Sequence, residues 1–164
     1  MADKSSFAAQ EWMLLLESVM AAGMAVSMAD AGGLWALLQE GFASGGALVK
    51  AKVDAGANAL IKAVVADLET GPGRSAAREG LQAKFASTAP ADIKTKCIEI
   101  LSEASALLDA KAPADAVAFK TWLGQISQGV AEAAKEGGFL GIGGVPVSEA
   151  EKATLSEISS ALKI

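Results

Sequence analysis

Apolar residues recur along this chain at steps of three and four, the spacing that lines one face of an α-helix. From Leu60 through Val64 to Leu68, for example, each step is four residues. We find no segment in which apolar and polar residues alternate as they would in a half-buried strand. Short runs rich in glycine or proline separate the helical stretches. The pattern therefore predicts an all-α fold.

The breaks divide the chain into about seven predicted helices. The first, over residues 7–29, is apolar on nearly all sides, which favours a central position with burial on most faces. The others are expected at 34–42, 47–69 and 74–87, after Pro90, after Pro113 and after Ser148. With 164 residues the chain is predicted to form one domain, 1–164, with a Gly-rich connector at 137–147 before the last helix.

Three of these helices carry a recognisable start. Pro90 and Pro113 each stand at a predicted first helical position, where the missing N–H and the fixed φ of proline cost nothing. Ser148 and Glu151 have the spacing of a capping box, in which each side chain bonds to the backbone N–H of the other residue. Hydrophobic residues make up 52% of the chain but aromatics only 5%. The core is therefore expected to depend on close helix packing through alanine and glycine.

The residues that are absent restrict the function more than those present. The chain has no histidine and no tyrosine, and Cys97 is its only cysteine. A Ser-His-Asp or Cys-His catalytic site cannot be built from it, nor can a zinc site of Cys/His type. The apolar neighbours Ile93, Ile98 and Leu101 favour a buried, inert thiol at Cys97. We therefore expect a protein that is not an enzyme.

Charge and hydropathy argue against nucleic-acid binding and against a membrane-spanning helix. The net charge is −5, and no cluster of basic residues is present to neutralise the phosphates of a nucleic acid. The uncharged stretch from Ser18 to Ala29 is shorter than the roughly 20 apolar residues that a transmembrane helix needs. Glu11 and Glu17 also disagree with a signal peptide. A cytoplasmic protein without a transmembrane span is expected.

The most unusual stretch is the Gly-rich loop that precedes the last helix. A connector that turns the chain and tucks its apolar residues onto the bundle is the favoured interpretation, because Gly-rich segments usually mark turn geometry. The alternative is a loop that contacts a ligand or a partner. Its candidate residues are Phe139, Leu140, Gly141, Ile142, Gly143 and Gly144.

Carboxylates at helical spacing leave one metal-binding alternative open. Glu99 and Glu103 are one such pair, and Glu149 stands two residues before Glu151. Acidic helix faces in contact with solvent are the favoured interpretation. An all-oxygen Ca²⁺ or Mg²⁺ site is the alternative, although the ligand spacing of an EF-hand is absent.

The stretch from Val130 to Leu162 resembles the helix–loop–helix of TerB-like tellurite-resistance domains. The resemblance rests on the Ala-rich run 130–134, on Gly144, Ser148, Glu149 and Glu151, and on a stripe formed by Leu155, Ile158 and Leu162. The turn after the first helix, with Asp30, Gly32 and Gly33, resembles a first copy. The resemblance implies an all-helical cytoplasmic domain tied to stress response. It also implies a metal site formed by acidic residues, here Asp30, Glu149 and Glu151.

Three functional hypotheses remain open on this basis. The first is a non-enzymatic cytosolic interaction module, stress-associated and TerB-like, that binds a protein partner or associates with itself. The second is a carrier of a small apolar ligand near the first helix and the 139–142 loop. The third is a carboxylate-based protein that binds a divalent metal. No cofactor is expected, with Ca²⁺ or Mg²⁺ as the alternative.

Overall fold

The computed structural model describes residues 2–29, 58–136 and 147–164. These ranges contain six α-helices and no strand, so the all-α prediction is confirmed for them. The expected count of about seven is not reproduced there, because the predicted helix at 34–42 lies outside the described residues. The helices are α1 (Ala9–Ser27), α2 (Ala59–Glu69), α3 (Gly71–Phe85), α4 (Ile93–Lys111), α5 (Pro113–Glu136) and α6 (Glu149–Leu162).

Helix α1 is the centre of the bundle, as its sequence predicts. It packs against each of the other five helices. Leu15, Leu16 and Val19 are buried in its first half, and the small residues Ala21, Ala22 and Ala25 are buried in its second half. Small side chains allow neighbouring helix axes to approach closely. The expected packing through alanine is therefore realised along α1.

The outer helices form two groups around α1. Helices α2 and α3 pack against each other, and α4, α5 and α6 pack against one another, with a smaller contact between α2 and α5. The apolar residues of both groups form one core cluster with α1, which includes Leu68, Leu101, Phe119 and Leu123. In the described ranges, no helix is long and apolar enough to cross a membrane.

The corner between α2 and α3 corrects one sequence prediction. The sequence predicts that this helix begins at residue 74, after the Gly71-Pro72-Gly73 segment, but α3 begins at Gly71. Thr70 ends α2 and also caps α3, since its Oγ1 accepts a hydrogen bond of 2.9 Å from the N–H of Gly73. A Cβ at Gly73 would lie 2.1 Å from the carbonyl oxygen of Asp67. Glycine therefore permits this tight corner.

The helix starts predicted at Pro90, Pro113 and Ser148 are confirmed. Pro90 opens a 3-10 turn, Pro90–Asp92, that continues into α4, and Pro113 is the first residue of α5. The capping box of α6 is present: Ser148 Oγ accepts from the N–H of Glu151 at 3.1 Å, and Glu151 Oε2 accepts from the N–H of Ser148 at 2.8 Å. These local signals act over three or four residues and were therefore visible in the sequence.

Candidate functional site

The residues singled out from the sequence do not come together as one site in the described structure. Asp30 and the loop candidates Phe139, Leu140, Gly141, Ile142, Gly143 and Gly144 lie outside the described residues. Glu149 is exposed and forms an ion pair of 2.6 Å with Lys152, while the carboxylate of Glu151 is used by the capping box. Among the residues that the structure covers, no three acidic or cysteine side chains cluster as metal ligands would.

Cys97 is buried in α4, as predicted. Its side chain is enclosed by the apolar core, and burial raises the pKa of the thiol to about 12. At neutral pH the sulfur is therefore protonated, and only the thiolate is a strong nucleophile. The prediction of a buried, unreactive thiol agrees with this environment.

A buried ion pair joins the central helix to α3. Glu17 lies on α1 with only 3% of its side chain exposed, and its Oε2 pairs with the Nζ of Lys84. Gly80, one turn before Lys84, makes room for the carboxylate, since a Cβ there would lie 2.1 Å from Glu17 Oε1. The position of Glu17 among the apolar residues of α1 was visible in the sequence. Its partner, 67 residues away, was not.

A second polar cluster holds the N-terminal segment against α2. Asp67 Oδ2 accepts hydrogen bonds of 2.7 Å from both Lys4 Nζ and Trp12 Nε1. These two donors lower the pKa of Asp67 below its ordinary value. Trp12 is buried and lies near the ring of Phe7, with centroids 6.0 Å apart. The cluster satisfies the polar end of a core tryptophan, so its role is structural.

The candidate functional site is a groove of about 210 Å³ between α5 and α6. Its apolar residues are Leu155, Ile158 and Ile164, and Gly124 faces them from α5. Five uncharged polar side chains complete the lining: Thr121, Gln125, Ser127, Gln128 and Ser159. Leu155 was expected in the inner stripe of the last helix together with Ile158 and Leu162, but it is only half-buried because it lines this groove.

The end of α6 directs Ile164 into the groove. Lys163 adopts a left-handed backbone conformation, with φ 58°. The backbone N–H of Ile164 donates to the carbonyl oxygen of Ser159 at 3.1 Å. The backbone N–H of Lys163 donates to the carbonyl oxygen of Ser160 at 3.2 Å. This pair of bonds is the Schellman motif, which reverses the chain at a helix end and is usually built on glycine. The chain therefore turns back, and Ile164 lies against Gly124 of α5.

Between Ala114 and Gln128, the solvent-facing side of α5 carries no exposed charge. The next charge on the helix is the exposed Glu132, whose carboxylate accepts a hydrogen bond of 2.9 Å from Gln128 Nε2. The two charged residues between Ala114 and Gln128 both turn inward: Asp115 is 1% exposed, and Lys120 is 5% exposed and pairs with Asp109. Val117 and Ile164 are the large hydrophobic residues that are exposed in the described ranges, at 73% and 50%. Val117, Thr121 and Gly124 are spaced by four and three residues, so they share one face of α5.

The chemistry available in the groove is that of shape and apolar contact. None of the nine lining residues has a side chain that ionises near neutral pH, so the groove offers neither an acid–base pair nor a charged side-chain ligand for a metal. The hydroxyl of Ser127 is already used, since the backbone carbonyls of Ala22 and Leu123 lie 2.9 and 3.2 Å from its Oγ and accept its single proton between them. What remains is an apolar floor with amide and hydroxyl groups at its rim. Sequence reasoning missed this site because its two walls are about 30 residues apart.

The chain matches no model of a known protein family, no curated protein and no solved structure. The resemblance to TerB-like domains therefore stays a prediction from the residues quoted for it.

Proposed function

We propose that this chain is a non-enzymatic interaction module that binds a protein partner through the α5–α6 groove. In this proposal an apolar side chain of the partner inserts between Leu155, Ile158 and Ile164. The uncharged face of α5 then packs around the inserted side chain. The observation that carries the proposal is the uncharged lining of the groove beside the exposed Val117 and Ile164. The cytoplasm is the proposed location, since the one cysteine is buried and no disulfide within the chain is needed.

The size of the groove supports a protein partner over a small-molecule ligand. Pockets for drug-sized ligands usually have about 300 to 1,000 Å³. The groove has about 210 Å³, closer to the roughly 150 Å³ of a cavity that holds a single benzene. That volume suits one aromatic or branched aliphatic side chain. Such an anchor in a pocket between helices is how an amphipathic partner helix is commonly recognised.

The distribution of charge supports the same assignment. The chain carries a net charge of −5, yet the exposed positions of α5 from Ala114 to Gln128 are all uncharged. The centres of protein interfaces are depleted of charged residues, because a buried charge loses its hydration. A face without charge on an acidic protein therefore fits a partner of either sign. It also fits a second copy of the chain, because two uncharged faces do not repel each other as two acidic surfaces would.

Site-specific crosslinking tests the proposal. A photo-crosslinking residue placed at Gln125, in the groove, is expected to capture a discrete partner in lysate of the cells that naturally produce the protein. The same residue at Gln82, an exposed glutamine on α3, serves as the control. Gln125→Glu, which adds one charge to the groove, is expected to weaken binding of the captured partner at least about 10-fold. Gln82→Glu is expected to leave that binding unchanged.

The outcomes separate the proposal from its alternatives. Equal capture at both positions, or no capture at Gln125, would contradict it. Capture of a second copy would identify self-association as the interaction. Native mass spectrometry of the purified protein tests the carrier alternative, because a bound apolar molecule would appear as extra mass. A rise in melting temperature on addition of Ca²⁺ or Mg²⁺ would instead favour the metal-binding alternative.

A further inference from the structure

One face of α5 carries both an exposed apolar side chain and the wall of the groove. Val117 is 73% exposed, the highest value among the large hydrophobic residues of the described ranges. Gly124, which lines the groove, follows seven residues later. Seven residues make almost two whole turns of an α-helix, so the two residues point in nearly the same direction, about 10 Å apart along the axis. An apolar projection and an apolar recess therefore lie side by side.

The α5 wall of the groove has the arrangement of a hole in helix packing. Thr121, Gly124, Gln125 and Gln128 all line the groove, and they stand at positions i, i+3, i+4 and i+7 of the helix. Four residues on one helix surround the hole into which one side chain of a facing helix inserts. The absence of a side chain at Gly124 deepens this hole. Its volume of about 210 Å³ is sufficient for a valine side chain.

A twofold axis across α5 brings the projection of each copy to the hole of the other. Thr121 lies midway between Val117 and the centre of the hole. When two α5 helices cross antiparallel at Thr121, Val117 of each copy faces Gly124 and Gln125 of the other. Both contacts then form at once, and the assembly closes as a dimer. Two parallel helices would have to shift by about 11 Å, which leaves one projection and one hole without a partner.

The exposed charges are also placed symmetrically about Thr121. Those nearest to it in the sequence are Lys111 and Glu132, ten residues before it and eleven after it. The exposed residues between them are uncharged, and several of them, such as Ala114 and Ala118, are small. Small residues at the contact allow two helix axes to approach closely. Two copies of a chain with a net charge of −5 can therefore meet at this face without bringing like charges together.

We propose that the partner of the groove is a second copy of this chain, which docks antiparallel on α5 so that Val117 of each copy enters the groove of the other. The inference rests on the proposed function, since it names the occupant of the same groove. The uncharged face from Ala114 to Gln128 is about 21 Å long. A contact of this length lies below the roughly 1,200 Å² of total buried surface at which standard interfaces begin. The dimer therefore forms reversibly and depends on concentration.

Analytical ultracentrifugation of the purified full chain tests the proposal. The fraction of dimer is expected to rise with protein concentration. Val117→Glu brings a charge to the apolar groove of the other copy, so the dissociation constant of the dimer is expected to rise at least about 10-fold. Gln82→Glu adds the same charge at an exposed position of α3 and is expected to leave it unchanged. A monomer at every concentration up to about 1 mM, or equal weakening by both substitutions, would overturn the proposal.

Disulfide trapping tests the antiparallel geometry itself. The two copies of residue 121 face each other in the proposed dimer, so Thr121→Cys is expected to form a disulfide between copies under mild oxidation. The two copies of residue 128 lie about 21 Å apart, so Gln128→Cys is expected to stay reduced. Cys97 does not compete, because it is buried. Equal trapping at both positions would show that the copies do not meet around Thr121.

The outcomes distinguish this inference from the proposed function. A protein that stays monomeric, while a crosslinker at Gln125 captures a different protein, would refute the second copy as the occupant and leave the groove as an interaction site. A dimer that Val117→Glu does not weaken, together with no capture at Gln125, would refute both.

Discussion

Two glycines in outer helices face neighbouring helices, and the space beside each is used differently. Gly80 on α3 lies over Glu17, whose carboxylate fills the space that a Cβ would need, at 2.1 Å. Gly124 on α5 faces α6, where a Cβ would come close only to the terminal carbon of Ile164, at 2.9 Å. The first space is occupied by a buried ion pair. The second opens into the groove.

The difference shows how the same residue type serves packing in one region and access in another. The Glu17 side chain beside Gly80 has little freedom to move, because it is buried and paired with Lys84. Around Gly124 the neighbour is the half-exposed end of a flexible side chain. Gly80 is needed for the fold, because a larger residue would collide with the Glu17 carboxylate. Gly124 is not needed in this way, and its small size leaves room in the groove for a partner. Mutations on the two sides should therefore change stability in opposite directions.

The largest effect is expected from removal of the cation beside Glu17. Lys84→Met leaves a buried carboxylate without its partner, which typically costs 3–5 kcal/mol. About a third of the Lys84 side chain is exposed, so water compensates in part, and we expect a loss of about 2–3 kcal/mol in the free energy of unfolding. Urea unfolding followed by circular dichroism measures it.

The matched control is Lys96→Met, which removes one partner of an exposed pair with Glu99. Exposed pairs contribute little to stability because water screens the two charges, so a much smaller loss is expected here. Equal losses in the two variants would show that the Glu17–Lys84 pair behaves as a surface pair, and the contrast between the two regions would then fail.

Next in size is Gly80→Ala. The added methyl group displaces the Glu17 carboxylate, and overpacking of this kind typically costs 1–3 kcal/mol. Replacement of a helical glycine by alanine returns up to about 1 kcal/mol. A net loss of about 1–2 kcal/mol is expected. The control is Gly129→Ala on α5, where nothing lies within 4 Å of the new Cβ and a gain is expected. A gain at both positions would contradict the tight contact at Gly80.

A smaller effect of opposite sign is expected at Gly124. In Gly124→Ala the end of the Ile164 side chain can move toward solvent, so the new methyl group causes little strain. The higher helix propensity of alanine then raises the free energy of unfolding by about 0.5–1 kcal/mol. The same methyl group narrows the groove, so binding of a partner captured at Gln125 should weaken. Thermal unfolding and a binding titration measure the two effects. A loss of stability would show that the space beside Gly124 is as filled as that beside Gly80.

The smallest effect on stability is expected for Ile164→Ala. Half of this side chain is exposed, so the lost apolar burial corresponds to only about 0.5–1 kcal/mol. Binding of the partner should fall more than stability does, because Ile164 forms one wall of the groove. A loss above about 2 kcal/mol, as for a core residue, would identify Ile164 as part of the core and remove the argument for a binding groove.

Local signals account for what could be predicted. The starts at Pro90 and Pro113, the capping box of Ser148 with Glu151, and the burial of Cys97 all depend on residues within a turn or two of one another. The early start of α3 was missed because Thr70 serves two helices at once, which the rule that glycine and proline interrupt helices does not anticipate. The groove was missed because the residues of its two walls, 121–128 and 155–164, are far apart in the sequence although they belong to consecutive helices.

Local patterns establish that the described residues are helical, where several helices begin, and that α1 lies at the centre, because apolar spacing and capping act over a few residues. The packing of the helices decides which charges turn inward, such as Glu17 and Asp115, and which partners they meet. It also decided that Gly80 faces a filled space and Gly124 an open one. These outcomes depend on the distances between helices far apart in the chain, and no pattern within one helix encodes those distances.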